Sequence, residues 1–294
     1  MYCRDMVDGM TKYYRGDSAV YLRKDGNFEI RIPIATGTIS KEQLTKVAEV
    51  TERCGKEVHL TVRQGIQILG VPERSLDEAL SMLETVGLRP GSTGKRVRNI
   101  LACPGDEYCF KATQDTRSIA DSLAHAFAGR DMPAKFKIAI SGCPFACTWP
   151  QMNDVGLLGR VIPVLDPGLC SGCGACEQVC IANAISLQEG RARIDDAACA
   201  KCGRCADACP HGAIVKGGTG FMVTVGGRGS YTPKEGYILY EMLPREEVLD
   251  VIERIMEAYS DAPKGMRLRE FIDLIGHDEF ERRVKDKDYT SHRD

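Results

Sequence analysis

The sequence has no stretch approaching the ~18 uncharged apolar residues that a membrane span needs, so none is expected. Its opening residues, MYCRDMVDGMTKYYRG, lack the apolar segment of a signal peptide, and no such peptide is expected. Neither sign of charge dominates: 39 Lys plus Arg stand against 41 Asp plus Glu, for a net charge of −2. That balance gives no support to binding of nucleic acid or of a membrane surface. No G-x-G-x-x-G follows a predicted strand, and Gly168 to Gly174 belong to a cysteine loop, so any flavin or nicotinamide donor must lie elsewhere. Cysteine, by contrast, is abundant, at 14 of 294 residues. The tight spacing of these cysteines argues for metal ligation in a reducing, cytoplasmic compartment rather than for disulfides.

Eight of them form a duplicated run. The first half reads Cys170-x2-Cys173-x2-Cys176-x3-Cys180, and the second Cys199-x2-Cys202-x2-Cys205-x3-Cys209 followed by Pro210. A cubane iron–sulfur cluster takes one thiolate per iron, and the C-x2-C-x2-C turn wraps three of them around one face. The fourth comes from the other run, as in bacterial two-cluster ferredoxins. Cys170, Cys173, Cys176 and Cys209 are therefore expected to hold one 4Fe-4S cluster, and Cys199, Cys202, Cys205 and Cys180 the other. Zinc knuckles also use C-x2-C, but they rarely need the further two cysteines, twice over. Gly172, Gly174 and Gly203 suit tight turns that aim N–H groups at sulfur. Ile181 stands where many ferredoxins have proline after the fourth cysteine, which leaves the ligands unaffected.

The rest of the chain alternates strand and helix patterns. Strands are predicted at 28–33, 58–62, 67–69, 99–102, 135–140, 155–161 and 221–225. Ser40-x-x-Gln43 reads as a capping box for a helix over 41–54, closed by Gly55, and Ser75-x-x-Glu78 as a second box for a helix ending near Gly87. Further helices are predicted at 113–128, with Ile119, Leu123 and Phe127 on one face, at 245–259 and at 266–275. The polar tail after Val284 is expected to be frayed. The pattern indicates an α+β sandwich with helices on one face of a sheet. The cysteine-, glycine- and alanine-rich block at 162–217 breaks this rhythm and reads as an insertion.

Two further pairs, Cys103-x5-Cys109 and Cys143-x3-Cys147, lie on loops that each follow a predicted strand. Four thiolates can hold a 4Fe-4S cluster, and a zinc site would keep the same cysteines. Around them stand Arg31-Ile-Pro ahead of Gly-x-Ile, Thr61-Val-Arg63-Gln64, Arg98-Asn99-Ile-Leu, Pro133-Ala-Lys135-Phe-Lys137 ahead of Ser-Gly-Cys143-Pro, and Asp154-Val-Gly. In these motifs and their order, over about 28–161 and again at 221–228, the sequence resembles the siroheme-containing sulfite and nitrite reductases. Phe145 departs from the Asn common in that family, and Cys3 and Cys54 fall outside every pattern. With its ferredoxin insert, the chain looks most like a subunit of the anaerobic sulfite reductases and the subunits of the dissimilatory sulfite reductases.

The resemblance implies a single sulfite reductase-type α/β sandwich module with an inserted two 4Fe-4S ferredoxin domain. Its segments would be an N-terminal extension at 1–27, a ferredoxin-like half at 28–92 and a siroheme and 4Fe-4S region at 93–161. The insert would occupy 162–217, and the end of the module with C-terminal helices 218–294. By resemblance, Cys103, Cys109, Cys143 and Cys147 bind a 4Fe-4S cluster that Cys147 bridges to siroheme iron. Arg31, Arg98, Lys135 and Lys137 surround the substrate, and Arg63, with Arg96 or Arg228, meets siroheme carboxylates. An arginine or lysine at a strand end is more often a solvated charge. Here Lys135 and Lys137 share a face by strand alternation, just ahead of a metal-binding loop. The implied function is reduction of sulfite to sulfide, with the insert relaying electrons from a donor protein or subunit. Nitrite reduction, or a non-catalytic electron-transfer subunit of a sulfite reductase complex, are the alternatives. Family enzymes hold two copies of the module, so a homodimer or a pairing with a related subunit is expected, in which one protomer's cations complete the other's site.

Overall fold

The computed structural model describes the backbone of residues 2–7, 10–15 and 18–286, and the side chains of 18–286. The chain divides into two compact units. One comprises Met1–Leu101, Ala120–Ile138 and Tyr259–Phe271, the other Ala102–Ile119, Ala139–Ala258 and Ile272–Asp294. Among the described residues no helix is long and apolar enough to cross a membrane.

The first unit is built on β1 (Tyr2–Val7), β2 (Met10–Arg15), β3 (Val20–Leu22), β4 (Phe28–Pro33), α1 (Lys41–Cys54), β5 (Glu57–Thr61), β6 (Gly65–Val71) and α2 (Leu76–Glu84). Its strands form one antiparallel sheet in the order β1-β2-β3-β4-β6-β5. In β4 the strand period sends Phe28, Ile30 and Ile32 to one face and Glu29 and Arg31 to the other. The apolar set packs with Ile66 and Ile68 of β6 against Val47, Val50 and Cys54 of α1 and Leu76, Ala79 and Leu83 of α2. Each such fully buried aliphatic side chain contributes about 1.5–3 kcal/mol. Helices thus cover one face of the sheet and leave the face of Arg31 uncovered by this core.

Ser40 forms the expected capping box, its hydroxyl accepting from the Gln43 N–H while the Gln43 side chain accepts from the Ser40 N–H. Ser75 does not cap. It ends a 3-10 turn, with φ −102 and ψ 0 rather than extended, its N–H already given to Pro72 O, and a serine so placed cannot fold its hydroxyl over the next turn.

The second unit contains a sheet in the order β13-β12-β9-β8-β7. Its elements follow as β7 (Leu101–Ala102), α3 (Thr116–Phe127), β8 (Ile138–Ser141), β9 (Val155–Leu165), α4 (Ala175–Gln178), β10 (Ile185–Gln188), β11 (Arg191–Ile194), α5 (Arg204–Ala208), β12 (Ile214–Val225), β13 (Tyr237–Leu243), α6 (Val248–Ser260), α7 (Leu268–Ile275) and α8 (His277–Lys285). Helices α3, α6 and α7 each contribute residues to both units. β9 and β12 pair antiparallel from Val155↔Val225 to Leu165↔Ile214. Residues 166–213 form a lobe at the far end of this pair. Its core is Cys176, Ile185, Ala192, Cys205 and Ile214, with Cys170, Cys180 and Cys209 packed against it. The sequence duplication has a matching geometry, since α4 and α5 each start on a left-handed glycine, Gly174 at φ 77 and Gly203 at φ 74.

Several expected boundaries move. The strand expected from 135 begins at Ile138, although Phe136 is tied by backbone bonds to Arg96 and Arg98. The helix expected from 113 begins at Thr116, because Thr113 donates to Gly142 O and Gln114 to Gly220 O. α8 runs beyond Val284 to Lys285, and the tail from 287 onward lies outside the described residues.

The two serines make opposite predictions. Ser40→Ala should lower unfolding stability by about 1 kcal/mol in denaturant titration. Ser75→Ala should lie within about 0.5 kcal/mol of the unchanged protein. Equal effects would contradict the assigned caps.

Candidate functional site

The uncovered face of the first unit's sheet opens into a cavity of about 740 Å³. Arg31, Arg63, Arg98, Lys135 and Lys137 all line it, with Tyr21, Gln67, Asn99 and the 91–95 loop. With Lys95 of that loop, six cations around one apolar-floored space cannot be a core feature; the cavity suits a ligand with several negative charges and a large apolar body. Arg31 reaches it from β4, stacked 4.5 Å from the centroid of the Tyr21 ring. Arg63 sits in the β5–β6 turn, where Gln64 adopts a left-handed φ of 51 and the Thr61 hydroxyl accepts from the N–H groups of Arg63 and Gly65. Its Nη2 donates to Asn99 O at 2.7 Å, and the Asn99 side-chain amide returns a 2.7 Å bond to Arg63 O. Arg98 directs Nη1 and Nη2 to the carbonyls of Ser92 and Gly94, and its buried Nε has no partner. Lys135 and Lys137 flank the fully buried Phe136, so the alternation expected of them holds over this short stretch.

The remaining two arginines lie elsewhere. Arg96 donates from Nε to Asp131 at 2.7 Å and lines a separate cavity of about 550 Å³ in the same unit. Arg228 belongs to the second unit, where its Nε donates to the Ser230 hydroxyl and its guanidinium lies 5.7 Å from the Tyr231 ring centroid.

In the second unit, two loops bring Cys103, Cys109, Cys143 and Cys147 together. Cys103 follows β7 and takes its backbone bond from its own N–H to Ile140 O. Gly105, at φ 75, lets the chain turn back so that the Cys109 N–H bonds to Gly105 O at 2.9 Å. The second loop is stitched to the first by Thr113, which donates N–H and hydroxyl to Gly142 O, and by the Gly142 N–H, which donates to Cys103 Sγ at 3.1 Å. Cys103 and Cys143 are buried, Cys109 is half-buried and Cys147 is exposed. Burial pushes the Cys143 thiol up, and the neighbouring Cys103, Cys109 and Cys147 add to the rise. Thiols so arranged are held close against their own repulsion, and a bound cation relieves it.

The lobe divides its eight cysteines into two groups. Cys170, Cys173, Cys176 and Cys209 line one small cavity, and Cys180, Cys199, Cys202 and Cys205 line another. Backbone N–H groups donate to sulfur in both, from Ala192 to Cys170, Ala184 to Cys180 and Lys201 to Cys199, at 3.2 to 3.4 Å. Burial, followed by the nearby Cys202 and Cys199, pushes the Cys205 thiol up to about 11. At Cys209 burial also acts upward, but N–H groups of Ile214, His211, Ala213 and Gly212 outweigh it and lower the thiol's pKa. Donors of that kind stabilise thiolate. Gly172 is required by space, because a Cβ there would lie 2.1 Å from Gly190 O.

These arrangements carry the comparison with known proteins. A family profile described as "Nitrite and sulphite reductase 4Fe-4S domain" matches residues 93–292, and one described as "Nitrite/Sulfite reductase ferredoxin-like half domain" matches residues 21–86. The chain belongs to the nitrite and sulfite reductase family. Among relatives in the family, a coenzyme F420-dependent sulfite reductase of Methanocaldococcus jannaschii is 31% identical over 96% of this chain and 46% of its own length. The chain therefore spans about half of that relative. A subunit of the anaerobic sulfite reductase of Salmonella typhimurium is 30% identical over 90% of this chain and 84% of its own. The fold also matches the crystal structure of dissimilatory sulfite reductase I, with a TM-score of 0.73 at 20% identity, over 87% of this chain and 68% of that one.

Sequence reasoning missed the residues that fix the cations. Glu29 and Tyr21 hold Arg31, Thr93 meets the Tyr21 hydroxyl and Asn99 holds Arg63, and of these four Asn99 alone belongs to one of the motifs. Gly172→Ala should keep the Cys170–Cys176 turn from closing. Protein reconstituted anaerobically with iron and sulfide should then hold fewer irons per chain than the unmodified protein, and equal iron content would contradict the requirement.

Proposed function

We propose that the chain is the siroheme-bearing subunit of a sulfite reductase, reducing sulfite to sulfide. The observation that carries this reading is the convergence of Arg31, Arg63, Arg98, Lys135 and Lys137 on one large cavity. Siroheme is a macrocycle bearing many carboxylates, and a volume of about 740 Å³ ringed by six cations, Lys95 included, fits such a group far better than a bare three-oxygen anion. The named relatives add sulfite as the anion. When bound, siroheme and its coupled 4Fe-4S cluster would supply the reducing electrons, one at a time.

The chain's own groups supply the rest. Arg63, locked by its reciprocal bonds with Asn99, would pair a carboxylate of the macrocycle. Arg31 grips anion oxygens through its Nη nitrogens, and Arg98 adds fixed charge while its own fork is held by two carbonyls. The Nζ ammonium groups of Lys135 and Lys137 hold protons beside the oxygens that leave as water. Cys103, Cys109, Cys143 and Cys147, of which Cys147 is exposed, would hold the coupled cluster.

The reading gives the two lobe sites an order. Gly159 of β9 abuts Gly142, next to Cys143, since a Cβ at Gly159 would lie 2.5 Å from Gly142 O. Two residues on, the Val161 N–H bonds to Lys201 O, between Cys199 and Cys202. Those two strand positions are separated by about 7 Å. The group of Cys180, Cys199, Cys202 and Cys205 is therefore the inner relay. The group with exposed Cys173 is the outer one, where a cytoplasmic donor protein or subunit hands over electrons. The proposal includes a twofold pairing, with a second copy or a related subunit, in which one protomer's cations serve the other's cysteines.

In an anaerobic assay with a reduced dye, Lys135→Ala should cut sulfite turnover by about a hundredfold with iron content unchanged. Unchanged turnover would contradict the role of that lysine. Mixing a Lys135→Ala chain with a Cys147→Ser chain should restore part of the activity that each has lost. Mixtures no better than the separate chains would exclude completion of the site by a second copy.

A further inference from the structure

Glu29 is an unusual residue for its place. It sits two positions before Arg31 on the same face of β4, the face that the helices leave uncovered, yet it is 1% exposed. A buried carboxylate persists only where cations and hydrogen bonds satisfy it. Two guanidinium groups do so here: Arg23 reaches Oε2 with Nη1 at 3.0 Å, and Arg31 reaches Oε1 with Nε. Because the Nε edge of Arg31 is occupied, the guanidinium turns its Nη end toward the cavity. The Tyr21 ring lies against the same guanidinium and fixes its plane. The Tyr21 hydroxyl is in turn 2.8 Å from the Thr93 hydroxyl, in a buried contact between residues 72 apart in sequence. Thr93 stands between Ser92 and Gly94, whose carbonyls hold the fork of Arg98.

We propose that Glu29, acting with Tyr21 and the 92–94 loop, is a positioning residue that sets the orientation of Arg31 for the oxyanion and couples it to Arg98. The inference rests on the reading of Arg31 as an anion-binding group. It concerns what a carboxylate does so close to an anion site. By charge alone Glu29 repels the substrate, and its removal would tighten binding. By position it presents two parallel N–H donors at one angle, and its removal lets a long side chain swing, weakening binding. The two effects have opposite signs, so the direction of change decides between them.

The test uses protein loaded with its cofactors and kept free of oxygen, with sulfite binding followed by visible absorption. Glu29→Gln keeps the shape and removes the charge that fixes Arg31. Its sulfite Kd should rise about tenfold, the effect of losing one charge-assisted hydrogen bond. Unchanged or tighter binding overturns the proposal. Arg23→Gln breaks only the outer half of the pair, and its Kd should stay within about twofold of the unmodified protein while its melting temperature falls. A loss of affinity equal to that of Glu29→Gln would mean that both act through fold stability, and would also overturn it. Should Glu29→Gln fail to fold, Tyr21→Leu removes the stacked ring and leaves Glu29 in place. It should weaken binding by a few-fold, and unchanged affinity overturns the proposal. Arg31→Gln separates the two layers of the argument: if it leaves sulfite affinity intact, the anion-binding reading itself fails, whatever the result at Glu29.

Discussion

The pairing of β9 with β12 is the constraint on which the second unit depends. It runs unbroken in direction from Val155↔Val225 to Leu165↔Ile214, with one irregularity near Lys216 to Gly218. Near one end, Gly159 lets the strand touch the loop of Cys143, where any side chain would collide with Gly142. Farther along, Val161 bonds the loop of Cys202. The remaining length carries the duplicated lobe out on two adjacent strands. A single rigid ladder thus sets the separation of cysteine groups whose chemistry depends on distance, and backbone hydrogen bonds hold that separation more firmly than loops could.

Burial and charge are divided between the two units in a consistent way. In the first, the strand period separates an apolar face, sealed by α1 and α2, from a face that bears Arg31 and Gln67. The cations on that face are not left to flex. Backbone carbonyls hold Arg98, Asn99 holds Arg63, and a buried carboxylate holds Arg31. In the second unit the polar cost falls on sulfur. Burial disfavours thiolate at Cys143 and Cys205, while N–H donors favour it at Cys209 and bond the sulfurs of Cys103, Cys170, Cys180 and Cys199. Under the proposed function, a multiply charged metal centre at these sites would displace the thiol protons.

Much of this could be read from the sequence where the chemistry is local. The cysteine spacings delimited the groups that now line separate cavities, and Ser40 with Gln43 marked a helix start within four residues. The strand predicted at 28–33 is the observed β4. What escaped was non-local or weakly patterned. Glu29 reads as an ordinary strand-surface acid, yet it is buried and paired with both Arg23 and Arg31. Tyr21 and Thr93 meet across 72 residues, which no window detects. β3 has only three residues, β13 (YILYEML) lacks a clean alternation, and α8 buries only Phe280 and Val284 among charges. Ser75 failed as a cap because the preceding turn had already fixed its backbone.

The proposed function requires that the twelve cysteines hold three clusters and that the protein also binds siroheme. Mössbauer spectroscopy of iron-57-enriched protein, prepared without oxygen alongside the enzymes that make the tetrapyrrole, tests it most directly. The account predicts about twelve irons in cubane environments per chain. One further iron should be of haem type and magnetically coupled to one cluster alone. Full occupancy of the cubane sites with no coupled haem iron would contradict it, leaving a chain that carries electrons without spending them on an anion.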